Sequence, residues 1–442
     1  MFEQHFKSKL FQRRSLIAFI FIFVVIGTVF LLAARAATST ASLEPESGTL
    51  SGNVSTIIDS TASNGSAVQF GTSSSSCPTG PAGSLAIHVC GNHLVNASSQ
   101  TIRLRGADVS GTEFACVQGN SDPYGGAPFG TLQTFQVMST WGINVIRVPL
   151  NEDCWLGINN PSVGGSTYQA AIAQEVSVAH QAGLYVILDL HWSAPSTYLA
   201  NGQNYGPDTD HSITFWQQVA TAYKNDPGVI FDLYNEPIQN YVSSNPWSCW
   251  LNGCSVTQYL NNLTGTTIPA YQLAGVNQII TAIRGVGATQ PVLVNGIDWA
   301  NDDTQWLANA PTDPDKQVIA GAHIYPGQCD GFDNTCNGGG APLSTRVANW
   351  NAVYPSIGAT YPILIGETGD HTSAPVAFLP TFLPYADAHN WSYLTWTWNN
   401  WGDPDDVLLS KVYNDNQDYS SPTPNAGEGS CYKNWLLSGH CP

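Results

Sequence analysis

The sequence is poor in charge, and poorest in positive charge: only 10% of its 442 residues are Asp, Glu, Lys or Arg, with 14 basic residues against 32 acidic ones. Five of the basic residues (Lys7, Lys9, Arg13, Arg14 and Arg35) fall in the first 35 positions, so from Ala37 onward 9 basic residues face 31 acidic ones, a net charge of −22. A surface of that sign repels phosphate backbones and excludes nucleic acid as a partner. No two of the ten cysteines are spaced C-x-x-C, which argues against a zinc-binding module. The first apolar run of the main region, Ile102–Asp108, is followed by no G-x-G-x-x-G turn, which argues against a dinucleotide-binding sheet. That run ends Arg105-Gly106-Ala107-Asp108 and lacks the H-x-H of a metal-dependent barrel hydrolase, a reading that would otherwise use His191 and His323 as ligands. No metal or cofactor is expected.

What the chain does have is apolar and aromatic material, 43% and 11% of its residues, with 41 Gly, 27 Pro and 14 Trp. That suits a large core with many loops. A basic stretch leads into the apolar run Ser15–Ala34 and then Ala34-Arg35-Ala36, an A-x-A-like cleavage site. The run is long for a signal core and just long enough to span a bilayer, so cleaved signal and retained anchor both stay open. Either places the remainder outside the cytoplasm. The even number of cysteines agrees with an oxidising compartment. Cys249/Cys254, Cys329/Cys336 and Cys431/Cys441 can close short loops, and Cys116–Cys154 would join two loops on one face of a barrel; pairing among Cys77, Cys90, Cys116 and Cys154 is otherwise open.

Three regions are expected: residues 1–36 as signal or anchor, 37–76 as a short β-rich extension with a serine-rich linker, and 77–442 as the catalytic domain. Thr38–Gly71 holds two short β-like runs and resembles parts of a carbohydrate-binding β-sandwich module. It spans only about 35 residues where such a sandwich needs about 100, so it is read as a shortened element or spacer.

From Leu85 the pattern repeats. Eight short apolar runs, Ile102–Asp108, Ile143–Leu150, Tyr185–Trp192, Val229–Pro237, Pro291–Trp299, Val318–Gly327, Pro362–Asp370 and Ser392–Asn400, alternate with longer stretches such as the helix-like Tyr168–Ala182 and Ile213–Tyr223. Near-continuous apolar runs mark parallel strands buried on both faces. Eight strand–crossover units predict an α/β fold of the closed (β/α)₈ TIM-barrel type.

Six of the runs turn from apolar to chemically functional residues at their C-terminal ends, which in a barrel converge on one face. The candidates are Arg147, His191, Asn235 with Glu236, His323 with Tyr325, Glu367, and Trp396 or Trp398. Singly each has a structural explanation: a histidine can simply satisfy a hydrogen bond, Arg147 can pair with Glu152 or Asp153, and the tryptophans can be core. Convergence on one rim favours chemistry. Glu236 and Glu367, ending the fourth and seventh runs, supply the two carboxylates that glycosidic hydrolysis requires, one protonated to donate and one ionised to attack or to activate water. Arg147 is expected to keep Glu367 ionised, with Tyr325 donating to the same group, while burial or a nearby negative charge raises the pKa of Glu236. Asn235 suits a sugar 2-hydroxyl.

These motifs, Arg147 in RVPL, His191 in DLHW, Asn235-Glu236-Pro237 in YNEP, His323-x-Tyr325 in HIYPG, Glu367 in IGETG and Trp398 in TWTWN, taken in this order, resemble glycoside hydrolase family 5, the cellulase family, over Leu85 to Trp435. The resemblance implies Glu236 as general acid/base, Glu367 as nucleophile, a retaining double displacement, and Asn235, Arg147, His191, His323 and Tyr325 around the sugar at the cleavage point. Trp398 is favoured over Trp396 as the sugar platform. Gly366-Glu367-Thr368-Gly369 departs from the commoner G-E-F-G of the family. Trp155, Trp192, Trp247, Trp250, Trp299 and Trp401 are candidates for rim stacking, hence for endo attack on a polymer. The expected substrate is β-1,4-glucan, with β-mannan second. A secreted or surface-anchored monomer follows, and a catalytically inactive sugar-binding barrel remains the rival from another class.

Overall fold

A computed structural model describes residues 54–58, 66–70, 77, 84–261, 266–326, 342–401, 407–410, 419 and 421–442. The expected export segment and the Cys329/Cys336 pair lie outside them. Among the described residues no helix is long and apolar enough to cross a membrane. The chain divides into two compact units, Met1–Ser75 and Ser76–Pro442. In the first, β1 (Val54–Ile58) pairs antiparallel with β2 (Ser66–Phe70).

The second unit opens with a three-stranded antiparallel sheet, β3 (Ile87–Cys90), β4 (His93–Asn96) and β5 (Thr101–Ile102). Then come the barrel strands β6 (Arg105–Asp108), β7 (Val145–Asn151), β8 (Tyr185–Trp192) and β9 (Val229–Asp232). An antiparallel ribbon of β10 (Cys254–Asn261) and β11 (Thr266–Leu273) interrupts the series. It resumes with β12 (Val292–Asn295), β13 (Val318–Ile324), β14 (Ile363–Thr368) and β15 (Ser392–Thr395). These eight strands close in chain order into one parallel barrel.

Each of the eight apolar runs supplies one barrel strand. The first run is split, because Ile102 belongs to the small sheet and the barrel strand starts at Arg105. The strands are buried throughout or nearly so, as helices cover the outside and packed side chains fill the inside. Helices at Ser166–Gln181 and Ser212–Tyr223 match the expected helical stretches, and each turns its apolar residues (Tyr168, Ile172 and Val176; Phe215, Trp216 and Val219) inward. Helix Val276–Gly285 starts where the Gln278 side chain accepts from the Gly275 N–H at 2.8 Å, which satisfies one otherwise orphaned backbone donor.

At the N-terminal end the barrel is plugged. Ile87, Val89 and Leu94 of the small sheet pack with Val145, Ile187, Ile230, Leu293, Ile319, Leu364 and Leu394 from the strands in one apolar cluster. Each fully buried Leu or Ile there contributes roughly 1.5–3 kcal/mol of transfer free energy. Disulfides join Cys77–Cys90, Cys116–Cys154, Cys249–Cys254 and Cys431–Cys441.

Candidate active site

At the C-terminal end of the same strands the interior becomes polar around Arg147, which is fully buried on β7. Its guanidinium is saturated by strands on every side. Nη1 donates to Glu367 Oε1 at 2.7 Å and to Asp108 Oδ1 at 2.9 Å, and Nε donates to Asp232 Oδ2 at 2.9 Å. Nη2 donates to Asn235 Oδ1 at 2.8 Å and lies 3.1 Å from Asp189 Oδ2. Arg147 does not pair with Glu152 or Asp153; the strand alternation turns it into the barrel, where three aspartates meet it.

Those aspartates, Asp108, Asp189 and Asp232, are fully buried members of the site that the sequence reading passed over. A signal was present: acids inside otherwise apolar strands are rarely buried without a partner. Burial raises all three carboxyls, Asp189 to about 8 and the other two well above the ordinary range, against the pull of the Arg147 guanidinium. Asn295, also unanticipated, donates to Asp232 Oδ1 at 2.9 Å and to the carbonyls of Tyr234 and Asn235 at 3.0 Å. It thereby fixes the backbone that leads into Glu236.

Glu367, at the end of β14, accepts from Arg147 on Oε1 and from the Tyr325 hydroxyl on Oε2 at 2.9 Å. Across from it Glu236 lies just past the end of β9. Burial pushes its carboxyl up to about 7, while the nearby His191 and Arg147 pull the other way. Gln203 donates to the Glu236 carbonyl at 2.6 Å, another contact not foreseen. His323 sits between the two glutamates: Nδ1 is 3.0 Å from Glu236 Oε1 and 3.6 Å from Glu367 Oε2. Burial lowers His323 to about 3, so it is neutral and meets Glu236 through a hydrogen bond without bringing a charge. His191, likewise lowered by burial, has its Nδ1 2.6 Å from Asp189 Oδ2.

One expectation is corrected. Trp398 is fully buried, with its ring 4.6 Å from Trp141 at a 66° angle, so it presents no face to a sugar. Trp396, two residues earlier and only partly buried, lies at the site instead, stacked on His191 at 5.4 Å and 17°. The resemblance had favoured Trp398, but beyond the strand end the backbone turns Trp398 inward and leaves Trp396 beside His191. Of the six rim tryptophans, Trp155, Trp247 and Trp250 are core, whereas Trp299 and Trp401 are exposed and Trp192 is partly so.

Oxygen and nitrogen atoms of Glu236, His323 and Glu367 lie within 4.8 Å of one another, a spacing that a metal ion could span. Both Glu367 oxygens are already taken by Arg147 and Tyr325, and a guanidinium 2.7 Å away opposes a second cation. The trio is better matched to proton transfer.

Comparison with known proteins decides the family. Residues 95–402 match the model described as cellulase (glycosyl hydrolase family 5). The chain belongs to glycosyl hydrolase family 5. This family 5 chain is 23% identical over 343 residues to the endoglucanase MaCel5A of Microbulbifer sp. (strain ALW1), covering 74% of this chain and 53% of that protein. It is 27% identical over 247 residues to the manganese dependent endoglucanase Eg5A of Phanerodontia chrysosporium, covering 54% of this chain and 50% of that protein. The chain thus spans about half the length of the curated relatives it matches. Among solved structures it is similar to the β-glucanase SdGluc5_26A of Saccharophagus degradans in complex with cellotetraose, with a TM-score of 0.56 and 20% identity over 80% of this chain and 94% of that one. It is also similar to the catalytic domain of a mannanase from Streptomyces sp. SirexAA-E, with a TM-score of 0.52 and 18% identity over 80% of this chain and 90% of that one. At these identities the structures bear on fold alone.

Proposed function

We propose that this family 5 chain is a retaining, endo-acting β-1,4-glucanase, with residues 77–442 as the catalytic domain. The observation that carries the proposal is the unequal treatment of two carboxyls whose nearest atoms lie within 4.8 Å: Glu367 is cradled by a guanidinium and a phenol, while burial pushes Glu236 up to about 7. Their closeness suits the roughly 5–5.5 Å carboxyl spacing of double displacement rather than the wider gap that holds a water in inverting enzymes.

In the first step Glu236 protonates the glycosidic oxygen as Glu367 attacks the anomeric carbon. The sugar is then bonded to Glu367 and the leaving chain departs as an alcohol. In the second step Glu236, now ionised, takes a proton from water, whose oxygen displaces Glu367. Asn235 keeps its amide nitrogen for the sugar 2-hydroxyl while its oxygen is tied to Arg147. Trp396 offers the sugar platform.

The glucan preference is supported by the endoglucanase relatives, and β-mannan is the second reading because a mannanase catalytic domain shares the fold. The exposed faces of Trp299 and Trp401 favour a long open cleft. Disulfides and the apolar Ser15–Ala34 run support export of a monomer, either free or held at the cell surface. The test is a reducing-sugar screen of carboxymethylcellulose, β-mannan, xyloglucan, lichenan and laminarin. Preferred release from carboxymethylcellulose supports the proposal, preferred release from mannan moves the substrate to the second reading, and no release from any leaves the inactive sugar-binding barrel.

A further inference from the structure

β9 ends at Asp232, and the segment that carries Glu236 runs on past it as irregular chain. Successive carbonyls there are met from elsewhere in the fold. Trp216 Nε1 donates to Leu233 at 3.1 Å, and Asn295 Nδ2 donates to Tyr234 and Asn235 at 3.0 Å. Gln203 Nε2 donates to Glu236 at 2.6 Å, and the Trp299 N–H donates to Pro237 at 3.2 Å. A segment past the strand ladder is therefore pinned by remote donors at every residue around the acid/base. Trp216 and Asn295 are buried in the core, whereas Gln203 is a half-buried side chain on the loop after β8.

That loop is locked on both sides of Glu236. The Asn204 N–H donates to the Tyr234 hydroxyl at 3.3 Å, and the Ile238 N–H donates to the Tyr205 carbonyl at 2.9 Å. The Asn204 side chain in turn accepts from the Tyr271 hydroxyl of β11, and the Thr209 N–H donates to the Gln272 carbonyl at 3.0 Å. The antiparallel ribbon thus anchors the loop, and the loop brings the Gln203 amide to Glu236. A primary amide carries two N–H donors. Burial pushes the Glu236 carboxyl up to about 7, and His191, Arg147 and a second hydrogen bond from the Gln203 side chain pull it back toward the ionised form.

We propose that Gln203 is a positioning residue for the acid/base, holding the Glu236 backbone with one amide hydrogen and its carboxyl with the other. The proposal rests on the reading of Glu236 as acid/base. In the first step the second bond fixes the direction in which Glu236 delivers its proton. In the second step it favours the carboxylate that takes a proton from water. The other groups facing the carboxyl, His191, Arg147, His323 at 3.0 Å, Glu367 and Asp189, are untouched by a change at Gln203.

The test compares two substrates of the full-length protein. One is the polymer preferred in the substrate screen, carboxymethylcellulose or β-mannan; the other is the 2,4-dinitrophenyl glycoside of its disaccharide, whose leaving group departs without a proton. In Gln203→Leu, kcat/KM on the polymer should fall about tenfold. On the dinitrophenyl glycoside kcat and KM should fall together by about as much and leave kcat/KM unchanged, because only the second step then needs Glu236. The upper limb of the kcat/KM pH profile on the polymer should move up by about 0.5–1, since the lost hydrogen bond favoured the ionised carboxyl. Glu236→Gln should show the same substrate pattern in larger measure. An equal loss of kcat/KM on both substrates, or wild-type values on both, overturns the role of Gln203. If Glu236→Gln keeps full activity on the polymer, or no polymer is cleaved at all, the acid/base reading fails and the proposal with it. Should Gln203→Leu fail to fold by circular dichroism, Gln203→Asn, whose amide is one methylene short, decides by the same readings.

Discussion

Ile187 and Asp189 stand two residues apart on β8, as do Ile230 and Asp232 on β9; all four are fully buried and, by strand alternation, face the barrel interior. The isoleucines belong to the apolar plug and the aspartates to the layer around Arg147. One step along the barrel axis therefore exchanges a region that stabilises by leaving water for one that holds charge out of water. The lower layer contributes transfer free energy without needing any particular partner. The upper layer is stable because its charged side chains meet partners, the three aspartates sharing the Arg147 guanidinium. The apolar end supports the polar end, where the reactive groups must be held.

Changes at each end can break or sharpen that contrast. The largest effect is expected at the polar end for activity: Glu367→Gln should lower kcat about 10⁴-fold or more while Tm moves little, as read from initial rates and calorimetry. Near-normal turnover would remove Glu367 from the nucleophile role. Arg147→Ala strands several buried carboxyls at once and should cost about 3–5 kcal/mol in urea unfolding, along with activity. At the apolar end, Ile230→Ala leaves only a cavity and should cost about 2–4 kcal/mol while kcat/KM stays within a few-fold of wild type. If Ile230→Ala proved as harmful to catalysis as Arg147→Ala, the separation into two layers would fail.

The last effect is one of pH. Asp189, near 3.9 when unfolded, is raised by burial to about 8 in the fold, so the native state binds the extra proton between those values. Its contribution therefore favours folding at low pH and is lost as pH rises from about 4 to about 8. Unfolding of Asp189→Asn should show a shallower fall of stability across that window, and an unchanged slope would mean that another group carries the proton.

Much of this was legible in the sequence because parallel barrel strands announce themselves as short apolar runs, and all eight became strands. The rim residues His191, Asn235, Glu236, His323, Tyr325 and Glu367 come together because they lie toward the C-terminal ends of those runs, and Arg147 reaches them from inside β7. Legibility stopped where position depends on neighbours remote in the chain. Asp108, Asp189 and Asp232 sit on three different strands, and only closure of the barrel brings them to one guanidinium. Trp396 and Trp398 differ by a local turn of the backbone that no periodicity encodes.

The account rests most heavily on Glu367 as a nucleophile beside a protonated Glu236, and the stereochemistry of the first product tests this directly. Proton NMR of an oligosaccharide digest in its first minutes, before mutarotation, should show the β-anomer of the new reducing end in excess. An initial excess of the α-anomer would contradict double displacement and require a water between the two carboxyls.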